Sequence, residues 1–441
     1  MASVLVVGGG VAGMVCAWRL QHAGYDVEVL ERAETPGGRL RGAAEGGFRL
    51  ERSANLLGPM DANIRVLLRA LGLADALYPV DPPDEAVLRR GRFEALEPGS
   101  LRSLARSPLV SPRAKFHLLR AGLELARRRP AFDLYHPEQA ASLERGDAAT
   151  DLAALAGSEA RDFVLAPLLE SWLGVPLSAT SDAFVRTVMS ALLRRSAPEG
   201  LLGGMNALTE ALAATVPMRC GARVHSVETE EGGARVRYRI GTRERRALAD
   251  AVVVAVSGPQ VVDLCPKLTP EERGFFEMAV RFPSVVVHAL LDEAPKRLPF
   301  HRVHFPAALG SDIASIGFEH VLRDAAPPGS GLLRIVLSQT AVSRAWGEED
   351  WRLSQSLIDD LERTPLGSVR PRRCVVQRMD SAATQFGPGS LSRLRSFLAR
   401  RQRTPRLAFA GADTIGPYTE GVVTSGLRAA ADVAHSLEPT S

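Results

Sequence analysis

Lysine is almost missing from this sequence of 441 residues: Lys115, Lys267 and Lys296 are all there is, and arginine carries nearly all of the positive charge. Aromatic residues are scarce, at 5%. Long apolar runs are missing as well. The best, such as AVVVAV at 251–256, fall far short of the ~20 residues that a membrane-spanning helix needs. The four cysteines, at positions 16, 220, 265 and 374, form no CxxC pair. That argues against a disulfide framework or a zinc knuckle and fits a reducing, cytoplasmic setting. No basic leader precedes the strand that begins by Val4, so neither a secretory signal nor a transit peptide is expected. Clustered charge is lacking too. The net charge is +4, but the arginines are scattered, and we read them as a compositional habit; nucleic acid is not expected as a partner. With 46% apolar and 24% charged residues, the chain reads as globular, and its length calls for two or more domains.

Glycine, by contrast, is placed with purpose. ASVLVV is a short apolar run without alternation, as in a strand buried on both faces of a parallel sheet. Gly8, Gly10 and Gly13 follow at G-x-G-x-x-G spacing, with Val11 and Ala12 opening a helix that Gly24 stops. The first glycine makes the tight turn, the second admits a pyrophosphate to the backbone, and the third lets helix and strand touch. DVEVLE is the next strand. Glu31 ends it where a carboxylate grips a ribose 2′-hydroxyl, with Arg32 beside it. A 2′-phosphate would be repelled there, so the pattern disfavours NADP.

The next residues, ERAETPGGRLRG, place Gly37, Gly38, Arg39 and Leu40 just beyond that acid. This segment resembles the GGR extension of the glutathione-reductase-type flavoproteins, most closely the superfamily of amine oxidases, phytoene desaturases and protoporphyrinogen oxidases. RLAFAGADTIGPYTEGVVTSGLRAAADVA (406–434) is similar to that superfamily's second flavin motif. The resemblance implies non-covalent FAD. Gly411 and Asp413 would meet the ribityl or phosphate region, and a helix starting near Glu420, Gly421 and Val422 would face the flavin's N1–C2=O edge. GLLGGMNALTEALA (200–213) resembles a further family segment opening a helix, which leads into two strand-like runs across a Glu-Gly-Gly turn. There the residue matching Val224 touches adenine through its backbone. The implied fold is α/β: a discontinuous Rossmann-type FAD-binding domain (1–75, 200–265 and 400–441), with a mixed α+β substrate domain and helical cap (76–199, helical, and 266–399, a sheet).

LERSANLLGPM (50–60) aligns with the segment that runs beneath the isoalloxazine ring. The small residues Ser53 and Ala54 allow close approach. Asn55 either hydrogen-bonds the flavin or caps a turn. Tyr418 and Leu56 are the expected cavity-lining residues at the ring. Three departures argue against a standard amine oxidase. Val287 stands where that group has a lysine, the second aromatic wall of an amine cage falls near Ala382, and the cysteine that binds flavin covalently in some members falls near Ser381. RFPSVVVHALLD resembles a strand of protoporphyrinogen oxidases, and its His288 reads as a core residue.

These residues imply an FAD-dependent oxidoreductase. It would dehydrogenate a lipophilic or polycyclic substrate by hydride transfer to flavin N5, with molecular oxygen or a quinone as electron acceptor. An amine or amino-acid oxidase producing hydrogen peroxide, and a redox-neutral double-bond isomerase, are the alternatives. His301 and His304 form HxxH without helix signals or nearby carboxylates, so no metal is expected. The segment 111–129 puts Phe116, Leu119, Leu123 and Ala126 on one helical face with arginines toward its end. It reads either as an ordinary helix packed on its own domain or as a peripheral contact with the inner face of a membrane. FVLAPLLESWLGVPL (163–177), with Trp172, reads as core or pocket wall. Nothing in the sequence speaks to the oligomeric state.

Overall fold

The computed structural model describes residues 1–193, 197–230, 232–400 and 402–437. Glu231, in the expected Glu-Gly-Gly turn, lies outside them.

A parallel sheet of five strands forms the first layer, in the order Leu407–Phe409, Ala251–Val254, Ser3–Val7, Asp26–Leu30, Met218–Arg219. Its inner strands are β-branched and buried because both faces are covered, one by the helices Val11–His22 and Thr419–Leu437, the other by an antiparallel ribbon and shorter helices. The helix Val11–His22 lies against the C-terminal helix Thr419–Leu437. Gly426 permits that contact: a Cβ there would stand 2.5 Å from the Ala12 carbonyl oxygen. An antiparallel ribbon of Ala222–Glu230, Gly233–Ile240 and Arg243–Ala249 packs one apolar face, including Val227, Val236 and Tyr238, on this layer.

The second body is built on a seven-stranded sheet, in the order Arg373–Thr384, Arg281–Leu291, Gly331–Leu337, Ile313–Phe318, Arg302–His304, Glu85–Arg89, Arg92–Leu96. The hairpin 85–96 joins strands made some 200 residues later, through a parallel pairing of Glu85–Val87 with Arg302–His304. Val287, at the position expected for a lysine, is fully buried among Ala86, Ile316 and Ile335 in this sheet's core.

Helices fill much of 101–192. The π-helical turn Arg161–Leu165 and the helix Ala166–Leu173 bury Val164, Leu168 and Leu169, and Trp172 packs at their edge. The helix Pro112–Arg127 is capped by Ser111, whose hydroxyl accepts from Ala114 N. It packs on its own domain through one face and leaves the other to solvent. Ala114, Ala121 and Leu125 face inward, whereas Phe116, Leu119 and Leu123 are 65%, 40% and 52% exposed. No helix among the described residues is long and apolar enough to cross a membrane.

Candidate functional site

The glycine loop is built by close contacts that only glycine allows. A Cβ on Gly13 would lie 2.0 Å from the Gly8 carbonyl oxygen, and Gly8 itself has a φ of 111°. Gly10 differs: around its Cβ position no described atom comes within 4 Å, so this glycine faces open space at a helix N-terminus. Val11 and Ala12 are buried behind it. Gly37 N donates to Gly9 O at 2.8 Å, which lays the Gly37–Gly38 turn across the loop and sets Arg39 beside it. Leu40 belongs to the core with Met14 and Leu57, so its side chain supports the turn rather than facing a ligand.

Glu31 accepts from Gly9 N at 2.6 Å and from Ala33 N at 2.8 Å. Both carboxylate oxygens keep a lone pair for a ribose hydroxyl. Ala222 N donates to Glu31 O at 2.8 Å, which brings the strand bearing the half-buried Val224 to the same end of the loop. Arg32 is exposed.

The far motif meets the near one at the sheet's C-terminal edge. Asp413 accepts from Gly258 N at 3.0 Å and from Arg281, a residue that sequence reasoning missed and that no motif marks. Arg39 donates to Ala382 O at 3.1 Å, and burial together with the Arg281 charge pushes its guanidinium down to about 10. Among the described residues, Asp413 Oδ1 and Arg281 Nε are buried without a hydrogen-bond partner.

Two expected cofactor contacts are spent elsewhere. Asn55 gives both amide hydrogens to Glu319, at 2.8 and 2.7 Å, and accepts from Arg302 at 2.9 Å. Its side chain therefore fastens the segment 51–56 to the large sheet instead of reaching a flavin. Arg334 and His288 do the same from the neighbouring strands, contacting Glu51 O at 3.1 and 3.2 Å. Burial and the Arg334 charge push His288 down to about 3, so it is a neutral core residue. Glu420 is fully buried and accepts from Asn63 N at 2.7 Å and Ile64 N at 3.0 Å. It caps the helix Ala62–Ala70 rather than facing a ligand. Ser53, by contrast, serves the site directly, since its hydroxyl donates to Arg39 O at 3.0 Å and ties the two segments together.

Tyr418 is clamped. Added Cβ atoms on Gly416 and Gly421 would lie 2.2 and 2.6 Å from its ring, and its hydroxyl donates to Leu134 O at 2.6 Å. Its ring lies 6.3 Å from Phe184, which stacks on Phe386 at 4.7 Å. Leu56 packs instead toward Val80, Leu322 and Ala325, so the two expected cavity residues sit in different apolar clusters. Val422 is half-buried at the start of the C-terminal helix. The HxxH pair does have a carboxylate, contrary to expectation. Glu85 arrives from the distant hairpin, 2.6 Å from His304 Nε2 and 3.8 Å from His301 Nε2.

The open glycine, the ribose acid and the arginine-rich edge fit a dinucleotide carrying a diphosphate. Residues 11–434 match the family described as flavin containing amine oxidoreductase. Over 117 residues the chain is 30% identical to protoporphyrinogen oxidase 2 of Arabidopsis thaliana, a match covering 26% of this chain and 23% of the plant enzyme. Over 45 residues it is 47% identical to the zeta-carotene-forming phytoene desaturase of Myxococcus xanthus, covering 10% of this chain and 9% of that one. The chain thus matches less than a quarter of the length of these curated relatives. Cyclohexylamine oxidase from Brevibacterium oxydans IH-35A shares the fold, with a TM-score of 0.78 and 19% identity over 99% of both chains.

Proposed function

Since the chain belongs to the flavin-containing amine oxidoreductase family and is an FAD-dependent oxidoreductase, we propose that it dehydrogenates a lipophilic or polycyclic substrate, as protoporphyrinogen oxidases and desaturases do. The observation that carries this reading is Ala382. Where the sequence resemblance calls for the second aromatic wall of an amine cage there is a methyl group, and the Ala382 carbonyl is engaged by Arg39. Val287, sealed in the core, supports the same reading, because no lysine stands there. The Tyr418 ring is backed by the buried rings of Phe184 and Phe386, which leaves its surroundings apolar.

Bound FAD supplies a two-electron acceptor for hydride at N5. The chain's part is to hold and to exclude. Glu31, the glycine loop and Arg39 would hold the adenosine and phosphate end. Ser53 and Ala54 keep the segment beneath the ring thin, and the Asn55–Glu319–Arg302 network keeps it rigid. The N-terminal turn of the C-terminal helix would present its positive end to the flavin, which gains negative charge on reduction. Tyr418, its ring held between Gly416 and Gly421, orients substrate and keeps water out. Molecular oxygen or a quinone would take the electrons onward.

The outward ridge of Phe116, Leu119 and Leu123 is part of this reading. Arg113, Arg120 and Arg127 flank it on the same exposed side of the helix, an arrangement that suits an anionic membrane surface supplying lipophilic substrate. Flotation with phosphatidylglycerol vesicles should carry the wild-type chain upward, and a triple serine variant of the ridge should stay behind. Equal flotation of both would remove the membrane from the reading.

The reaction itself is tested anaerobically with three substrates: a reduced tetrapyrrole, a polyene in detergent and an alkylamine. Flavin bleaching by either of the first two, with a product two hydrogens lighter, supports the proposal. Bleaching by the amine alone, with hydrogen peroxide on admitting air, overturns it in favour of an amine oxidase. A product of unchanged mass, formed only after pre-reduction of the flavin, overturns it in favour of an isomerase.

A further inference from the structure

Arg281 opens the strand Arg281–Leu291 at the point where the large sheet meets the dinucleotide fold. It is hydrogen-bonded to Asp413 and Thr384, and its charge is felt at Arg39. The side chains of Arg281 and Asp413 are only 10% and 5% exposed. Two guanidinium groups and one carboxylate therefore share a shielded place, leaving one positive charge uncompensated among the three. Arg281 Nε and Asp413 Oδ1 still lack partners among the described residues.

The location of this excess charge narrows what can answer it. Asp413 follows the strand Leu407–Phe409, and Gly258, whose N–H it accepts, follows the strand Ala251–Val254. Arg39 follows the turn that crosses the glycine loop at Gly10. All three charges thus stand at the C-terminal edge of the parallel sheet, on the side where dinucleotides bind. A shielded cation without a partner is costly, and a phosphate group hydrogen-bonded to it removes that cost. The planar guanidinium fork matches phosphate oxygens, which a lone ammonium does not.

We propose that Arg281 is a second phosphate-gripping residue of the FAD site, acting with Arg39 on the diphosphate, and that Asp413 competes with the diphosphate for its guanidinium. The proposal rests on FAD occupying this fold, and its test separates the two. The full chain, freed of flavin, is titrated with ADP and with adenosine; the ratio of the two affinities isolates the diphosphate. In Arg281→Gln that ratio falls roughly ten- to hundredfold while adenosine binding holds. Arg281→Lys recovers part of the loss. Asp413→Asn removes the competing negative charge and raises the ratio. If Arg281→Gln and Asp413→Asn shift thermal stability but leave the ratio unchanged, Arg281 is an ion-pair partner only and the proposal fails. Should Arg281→Gln not fold, the Asp413→Asn variant decides: a higher ratio supports the proposal, and an equal or lower one overturns it. A wild-type chain that bound neither FAD nor ADP would overturn the cofactor reading instead.

Discussion

Replacing Glu420 distinguishes a helix cap from a cofactor contact. Its carboxylate meets the N–H groups of Asn63 and Ile64 inside the protein, and Asp61, the residue before that helix, makes no side-chain cap. Asp61 is engaged elsewhere, accepting from Gly58 N at 2.6 Å. In Glu420→Ala both donors lose their acceptor. An unpaired buried donor costs about 1–3 kcal/mol, so the pair should cost roughly 2–4 kcal/mol once some water enters the space. Glu420→Gln keeps one acceptor and should lose about half of that. Denaturant midpoints of the holoenzyme, read by far-UV circular dichroism, give the stability change, and FAD titration of the same variants gives the affinity. Stability should fall in the order wild type, Gln, Ala, with FAD affinity held within about threefold, a change worth well under 1 kcal/mol. Unchanged midpoints with FAD affinity down by an order of magnitude would refute the cap and return Glu420 to the flavin.

Other consequences follow from the buried ionic and aromatic contacts. Burial would raise the Glu85 carboxyl, but the adjacent His304 outweighs it and holds the group at about 2 against an ordinary 4.5. The folded chain therefore binds fewer protons than the unfolded one across that interval. The associated stability is complete above pH 4.5 and drains away as pH falls toward 2. Glu85→Gln should be less stable at neutral pH and show a flatter Tm profile below pH 4.5; a parallel profile would show that the pair does not titrate in this way. Because the Tyr418 hydroxyl is taken by Leu134 O, Tyr418→Phe should cost about 0.5–1.5 kcal/mol in stability and leave kcat close to wild type. A collapse of kcat would give that hydroxyl a chemical part. Gly421→Ala should do the reverse, displacing the ring and lowering kcat/KM while the protein stays folded; wild-type kinetics would mean that the ring's position is immaterial.

What the sequence made legible was backbone chemistry with short reach. The G-x-G-x-x-G turn, the Glu31 carboxylate at the end of the second strand and the Gly37–Gly38 crossing all depend on neighbours within some 30 residues, and each is where its spacing requires. The side-chain partners that were not legible share a cause. Glu420 lies at a helix start, as expected, but a position along a helix does not reveal which way its side chain points; it reaches back 356 residues to Ile64. Asn55 finds Glu319 across 264 residues, and Glu85 finds His304 across 219, so neither pairing left a local pattern. Arg281 sits in no motif, and its partner Asp413 lies 132 residues further on. The helix Pro112–Arg127 shows the limit of periodicity: spacing identified the apolar ridge, but not whether protein or solvent lies against it.

The strand order of the small parallel sheet also sets a timetable for the nascent chain. Ser3–Val7 leaves the ribosome long before its neighbour Ala251–Val254, and that strand is flanked in turn by Leu407–Phe409. At synthesis rates of about 5–20 residues per second, roughly 20–80 seconds separate the emergence of the first strand from that of the last. During that interval an apolar strand edge stands open and the arginine-rich corner has no Asp413 to balance it. Flavin fluorescence on stalled ribosomes should therefore report emergence of the strand Leu407–Phe409 and the residues after it rather than of the glycine loop.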